Sequence, residues 1–162
     1  MITRSTRIAA ILLTLLLTSA AQAKGGLGEI FGALIGSAVG KTAGKAFVDP
    51  QTAEAALRKM TEQVNARMPM TVDKDTRLDN LLAGPGARFS YNYTIITATS
   101  REIDRTYLMN HLQSKVKAGV CSSPDMQVFF KNKVTVGYSY RASDGVFVGK
   151  IDITPRDCGY AT

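Results

Sequence analysis

Histidine occurs once in the 162-residue chain, as His111, and cysteine twice, as Cys121 and Cys158. Structural zinc sites take four ligands, mostly of these two kinds. The chain falls short of that set, and no metal or cofactor is expected. A thiol nucleophile with His111 as its base fits poorly. Cys121 follows an expected helix end, where the dipole opposes a thiolate, and Cys158 is available to oxidise it. A serine triad would have only His111 to draw on, and no nucleophile-elbow pattern is present. The chain therefore reads as a non-enzyme. Runs of lysine or arginine are also missing: the 20 basic residues are dispersed, as on a solvated surface rather than a nucleic-acid tract. No apolar run reaches the ~20 residues of a comfortable membrane span.

The apolar run that does exist lies at the start. MITRSTR supplies Arg4 and Arg7, IAAILLTLLLTSA is apolar, and AQA places small residues at Ala21 and Ala23. This order predicts a secretory signal peptide, residues 1–23, cleaved after Ala23. No cysteine follows the site to accept a lipid, and no paired arginine marks another export route. Cleavage removes two of the 20 basic residues and none of the 13 acidic ones, which leaves a balance of +5. Such a balance favours anionic partners such as phospholipid head groups or lipopolysaccharide. Export argues against nucleic acid. In an exported chain, two cysteines predict one disulfide, Cys121–Cys158. It closes a loop of about forty residues, which in the chain-entropy account stabilises by about 3–4 kcal/mol.

Residues 24–48 are rich in glycine and alanine. In GEIFGALIGSAVGKTAGKAF, glycine recurs at Gly28, Gly32, Gly36, Gly40 and Gly44. A four-residue spacing is a helix spacing, yet each glycine costs about 0.8–1 kcal/mol against alanine in a helix. A helix here needs a partner that the missing side chains let come close, as in GxxxG packing. Ile30, Phe31, Leu34, Ile35 and Val39 lie between the glycines. Glu29 near the start and Lys41 and Lys45 near the end suit the helix dipole. Membrane insertion, an interfacial position, an oligomeric bundle, a flexible Gly/Ala linker and an arm packed on its own domain all stay open.

Residues 49–162 form the main domain. Asp49-Pro50 predicts a helix start. Ala53, Leu57, Met60, Val64 and Met68 form its stripe, and Pro69 stops it. A strand is expected near Arg77–Leu82, then a Gly84-Pro85-Gly86 turn. Arg88–Thr97 alternates as a strand, with Phe89, Tyr91, Tyr93 and Ile95 on one face. Ser100 is the expected cap of a second helix, which Gly119 ends, and Ser123-Pro124-Asp125 starts a short third one. Asp144-Gly145 predicts a hairpin that pairs Ala142 with Phe147, Tyr140 with Gly149, Tyr138 with Ile151 and Val136 with Ile153. Asp73, Asp75 and Asp79 mimic the start of a calcium loop, but Arg77 and Gly84 occupy ligand positions. The expected fold is α+β: an antiparallel sheet of about four strands, covered by helices on one face, with an N-terminal glycine-rich helix and one disulfide. Tyr91, Tyr93, Tyr138 and Tyr140 are the candidate ligand-facing residues, against the alternative that they are simply core.

The row Gly28–Gly44 resembles the glycine-zipper segments of bacterial surface antigens and envelope proteins. The region 70–160, with PGARFSYNYT, VCSSPDM, DG and TPRDC, looks like small uncharacterised exported proteins of Gram-negative bacteria. With the signal peptide and the missing catalytic patterns, the expected protein is periplasmic or secreted and non-enzymatic, and its zipper mediates self-association or contact with an envelope protein or membrane surface. The alternative is a soluble binding module, such as an inhibitor or an accessory factor of an envelope or secretion machine.

Overall fold

A computed structural model of the chain describes residues 50–161. The expected signal peptide, the glycine row Gly28–Gly44 and the Asp49 cap lie outside the described residues.

Helix α1 (Pro50–Asn65) opens on proline, whose missing N–H and fixed φ suit the first turn. Ala53, Leu57, Met60 and Val64 are fully buried, as their stripe requires. The helix ends at Asn65, three residues before the expected Met68, and Asn65 ties this end to the sheet. Its amide side chain donates to the Leu81 carbonyl at 2.8 Å and accepts from the Leu81 N–H at 2.7 Å. That pair fixes α1 to the sheet and occupies backbone groups of a strand near the sheet edge.

The strands are β1 (Met70–Thr71), β2 (Thr76–Gly84), β3 (Arg88–Ile95), β4 (Thr135–Ala142) and β5 (Phe147–Ile153), adjacent in that order in one sheet. Two expectations need correction: the sheet has five strands, and it is mixed rather than antiparallel. β3 and β4 run parallel, with Phe89 opposite Val136, Tyr91 opposite Tyr138 and Tyr93 opposite Tyr140. The chain leaves β3 through helices α2 (Arg105–Ser122) and α3 (Pro124–Lys131) before it re-enters as β4. Such a helical crossover returns the chain to its starting end, so the next strand points the same way. β1 escaped notice because two residues show no alternation. In β2 a bulge at Asp79 shifts the register between Leu78 and Asn80. Leu78 and Leu81, three apart, are therefore both fully buried.

The second helix also departs from expectation at both ends. Asp104 caps it, accepting from the Tyr107 N–H at 3.0 Å. Ser100 binds the Asp144 carboxylate instead, through its N–H at 3.0 Å and its hydroxyl at 2.7 Å. That contact ties the loop before α2 to the β4–β5 turn. The helix runs through Gly119 to Ser122. Gly119 is helical, and the disulfide is formed between Cys121 on α2 and Cys158 on a 3-10 turn (Arg156–Cys158). α3 buries Met126, Phe129 and Phe130, and Phe129 packs on Phe89 with ring centroids 4.9 Å apart.

The β4–β5 hairpin keeps three of its four expected pairs. Val136 faces Ile153, Tyr138 faces Ile151 and Tyr140 faces Gly149. At the tip Gly145 sits at φ 79°, and the Ala142 N–H donates to the Val146 carbonyl. The loop thus spans three residues, and Arg141, not Ala142, faces Phe147. The extra residue, Val148, turns inward and Phe147 is exposed. On the polar face, Asn92 bonds Asn80 and Thr94 bonds Asp79. Lys150 pairs with Asp152 at 2.9 Å. No described helix is long and apolar enough to cross a membrane.

Candidate functional site

The apolar face of the sheet carries four tyrosines at its centre. Alternation puts Tyr91 and Tyr93 on one face of β3, and Tyr138 and Tyr140 on the same face of β4. Their rings stack across the parallel pair. Tyr91 and Tyr138 lie 5.1 Å apart, Tyr93 and Tyr140 5.4 Å, with interplanar angles of 23° and 17°. Offset stacking of this kind adds to the stabilisation from burial alone. Desolvation pushes all four hydroxyls above their ordinary ionisation range, Tyr140 up to about 12. All four are therefore neutral donors at neutral pH.

The floor divides into two parts. The Tyr91 hydroxyl points at the Met126 sulfur, 3.9 Å away beneath α3. Tyr93, Tyr138 and Tyr140 instead line a cleft of about 290 Å³ between the sheet and α2. These three side chains are 6–8% exposed. None of their hydroxyls makes a hydrogen bond to another described side chain or backbone group, and none is sealed from solvent.

The wall of the cleft is α2. Leu112, Val116, Gly119 and Val120 face it. No residue of this 18-residue helix is fully buried. The helix lies across a gap rather than flat on the sheet, and its apolar row is only half covered. Its half-buried row, Leu108, Leu112, Val116 and Val120, packs against the core, and further contacts hold its two ends. At its start, Met109 rests on Gly149, where an added Cβ would overlap the methionine side chain. At its end, the disulfide joins Cys121 to Cys158, and Lys117 pairs with Asp157 at 3.0 Å. Hydrogen bonds from the Thr154 hydroxyl and amide, with Lys117 beside it, hold the Asp157 carboxyl down at about 2.

The rim carries one charge of each sign. Asp73 comes from the turn between β1 and β2, where the Val72 N–H donates to the Thr76 carbonyl at 2.9 Å. Lys115 comes from α2 and is exposed. His111 is also exposed on α2 and stacks on Tyr107, with centroids 6.1 Å apart. Both cysteines are oxidised, so no thiol is available to pair with it. Among the described residues no three His, Cys, Asp or Glu side chains converge as metal ligands. The arrangement offers binding: an apolar wall, an aromatic floor and three hydroxyls open to an incoming acceptor.

Sequence alternation singles out all four tyrosines, and the structure brings three of them to one cleft. It misses α2 as the facing wall, because half-exposed Leu112, Val116 and Val120 follow the same spacing as a core stripe. No protein-family model matches the chain. No curated protein matches it in sequence. Solved structures do match in fold. A protein of Pseudomonas aeruginosa assigned as secreted aligns with a TM-score of 0.58 at 12% identity, over 68% of this chain and 96% of that one. The type 2 secretion system pilotin EpsS of Vibrio vulnificus aligns with a TM-score of 0.54 at 12% identity, over 69% and 96%. The type II secretion system pilotin AspS of Vibrio cholerae aligns with a TM-score of 0.52 at 13% identity, over 67% and 94%. The described domain thus shares its fold with secretion-system pilotins and with a protein assigned as secreted.

Proposed function

We propose that the chain is an exported, non-enzymatic accessory protein of the cell envelope, and that its tyrosine cleft holds an apolar segment of an envelope protein. The cleft carries this reading: the solvent-open hydroxyls of three buried tyrosines have no acceptor among the described residues, under a helix whose apolar row is half covered. Its volume of about 290 Å³ is at the lower end for small-ligand sites, which enclose most of their ligand. An open trough of that size suits a chain segment laid along it, with apolar side chains on the wall and polar atoms on the floor. The fold shared with secretion-system pilotins supports an accessory role, and the expected signal peptide supports periplasmic or secreted localisation. The test is affinity isolation of the full chain from solubilised envelopes. Val116→Lys, which places a charge in the wall, is expected to lower co-isolation of the bound envelope protein at least about tenfold. Equal recovery with wild type overturns the reading.

The row Gly28, Gly32, Gly36, Gly40 and Gly44 supports a second element, self-association or contact with a membrane surface through residues 24–48, which competes with any contact of the row with its own domain. Gly32→Leu with Gly36→Leu removes the close approach that the row allows. Oligomer size and membrane fractionation should both change, and unchanged values refute this element.

A further inference from the structure

The cleft and the segment Gly28–Phe47 carry complementary features. Tyr93, Tyr138 and Tyr140 are more than nine-tenths buried, and their hydroxyls make no hydrogen bond to described side chains or backbone. Covering such donors with a purely apolar surface leaves them unsatisfied, which is unfavourable. A fitting occupant is apolar overall, slim enough to approach the floor, and equipped with hydrogen-bond acceptors on the approaching side. A row of glycines meets those demands, since no Cβ shields the backbone carbonyls along it. Gly28–Gly44 is such a row, with Ile30, Phe31, Leu34, Ile35 and Val39 beside it for the wall. The wall has its own glycine at the cleft: a Cβ added to Gly119 would meet nothing within 4 Å.

Charge and reach agree with this pairing. The rim presents Lys115 and Asp73. The segment carries Glu29 before its apolar part and Lys41 and Lys45 after it. Residue 49 adjoins the start of α1, so the segment is tethered to the domain directly. With Leu34 at the cleft, the fifteen residues 35–49 lead back to α1 and reach about 50 Å when extended, further than a domain of this size is wide. The local concentration of a tethered segment exceeds that of a free partner at ordinary levels.

We propose that the apolar part of this segment around Leu34 occupies the tyrosine cleft of its own chain when no partner does, as an internal placeholder that a partner segment displaces. The proposal rests on the reading of the cleft as a binding site. Tyr93, Tyr138 and Tyr140 donate to backbone carbonyls of the glycine row, and the apolar side chains beside the row lie on Leu112, Val116 and Val120.

The test uses the purified full-length mature chain with the photo-crosslinker benzoylphenylalanine in place of Leu34. The expected products are crosslinks to residues 112–120 or 138–140 within one chain, identified by mass spectrometry of the monomer band. A second measurement is trypsin cleavage after Lys41 and Lys45. Changing Tyr93, Tyr138 and Tyr140 together to Phe keeps the apolar surface and is expected to speed cleavage about tenfold, the loss of one to two net hydrogen bonds. Cleft crosslinks found only between two chains assign the site to a second copy and overturn the proposal. So do crosslinks that go to lipid in phosphatidylglycerol vesicles, crosslinks that miss the cleft, or cleavage unchanged by the Phe variant. Envelope co-isolation of Val116→Lys separates the two levels. If it still falls while Leu34 misses the cleft, only the placeholder is lost. If it is also unchanged, the binding cleft itself is refuted.

Discussion

Removing the disulfide by Cys121→Ser with Cys158→Ser should do two separable things. The cysteines are 37 residues apart in sequence. In the chain-entropy account, opening a loop of that length releases about 13 cal/mol/K in the unfolded chain, or about 4 kcal/mol at 25 °C. That is a large part of the 5–15 kcal/mol typical of a domain. With m near 1.5 kcal/mol/M, the urea midpoint should fall by about 2–3 M. The second effect is local. α2 has no fully buried residue, and the disulfide anchors its end beside the cleft. In the double variant, amide exchange across Arg105–Ser122 should become faster than across β3 and β4, whose side chains are deeply buried. Wild type should show a smaller gap between helix and strands. A stability loss under about 1 kcal/mol would show that the loop is already restricted in the unfolded chain. Equal protection of helix and strands in the variant would refute the reasoning, because packing rather than the tether would then hold the wall.

Asn65→Ala should cost about 2–3 kcal/mol in urea unfolding, since it leaves both polar groups of Leu81 without their side-chain partner. Gly149→Val should lower the melting temperature by forcing Met109 off its seat. Met109→Ala in the same chain should recover part of the loss, a non-additivity that a double-mutant cycle reads directly. Asp157 is held below its ordinary carboxyl range, at about 2. Its contribution to stability is therefore present above the unfolded value near 4 and is lost as pH falls toward 2. Asp157→Asn should flatten that part of the acid profile of the melting temperature. The four sheet tyrosines ionise above their ordinary value of 10. The unfolded chain thus releases those protons first, and stability should fall as pH rises past about 10. Absorbance at the tyrosinate band should show these four silent at pH 11 while the fold persists.

Local chemistry made much of this fold legible. The stripe Ala53, Leu57, Met60 and Val64 specified α1, and Ser123-Pro124-Asp125 specified α3. In the final hairpin, turn residues and alternation agreed on one register, and three of its four pairs stand. Cysteine count, with the expected export, pointed to the disulfide. The remaining features depend on partners distant in sequence. Nothing in Arg88–Ile95 or Thr135–Ala142 states that the two strands are neighbours, or that they run parallel. Ser100 and Asp104 are both sound caps, and the choice fell to Asp104 because Asp144, 44 residues on, takes Ser100. A glycine near a helix end reads as a stop, yet Gly119 stays helical. Alternation marks four tyrosines alike. Only the packing of α3 on Tyr91 and the gap beneath α2 separate the three that open to the cleft.

On the reading proposed above, the tyrosine cleft is occupied in the cell. Photo-crosslinking in living cells tests it most directly, with benzoylphenylalanine at Lys115 on the cleft rim and, as control, at Arg88 on the opposite face of the sheet. The account predicts crosslinks from Lys115 to an apolar stretch of an envelope protein or to residues 28–47 of this chain, with no such product from Arg88. No product from Lys115, or the same products from both positions, would contradict it.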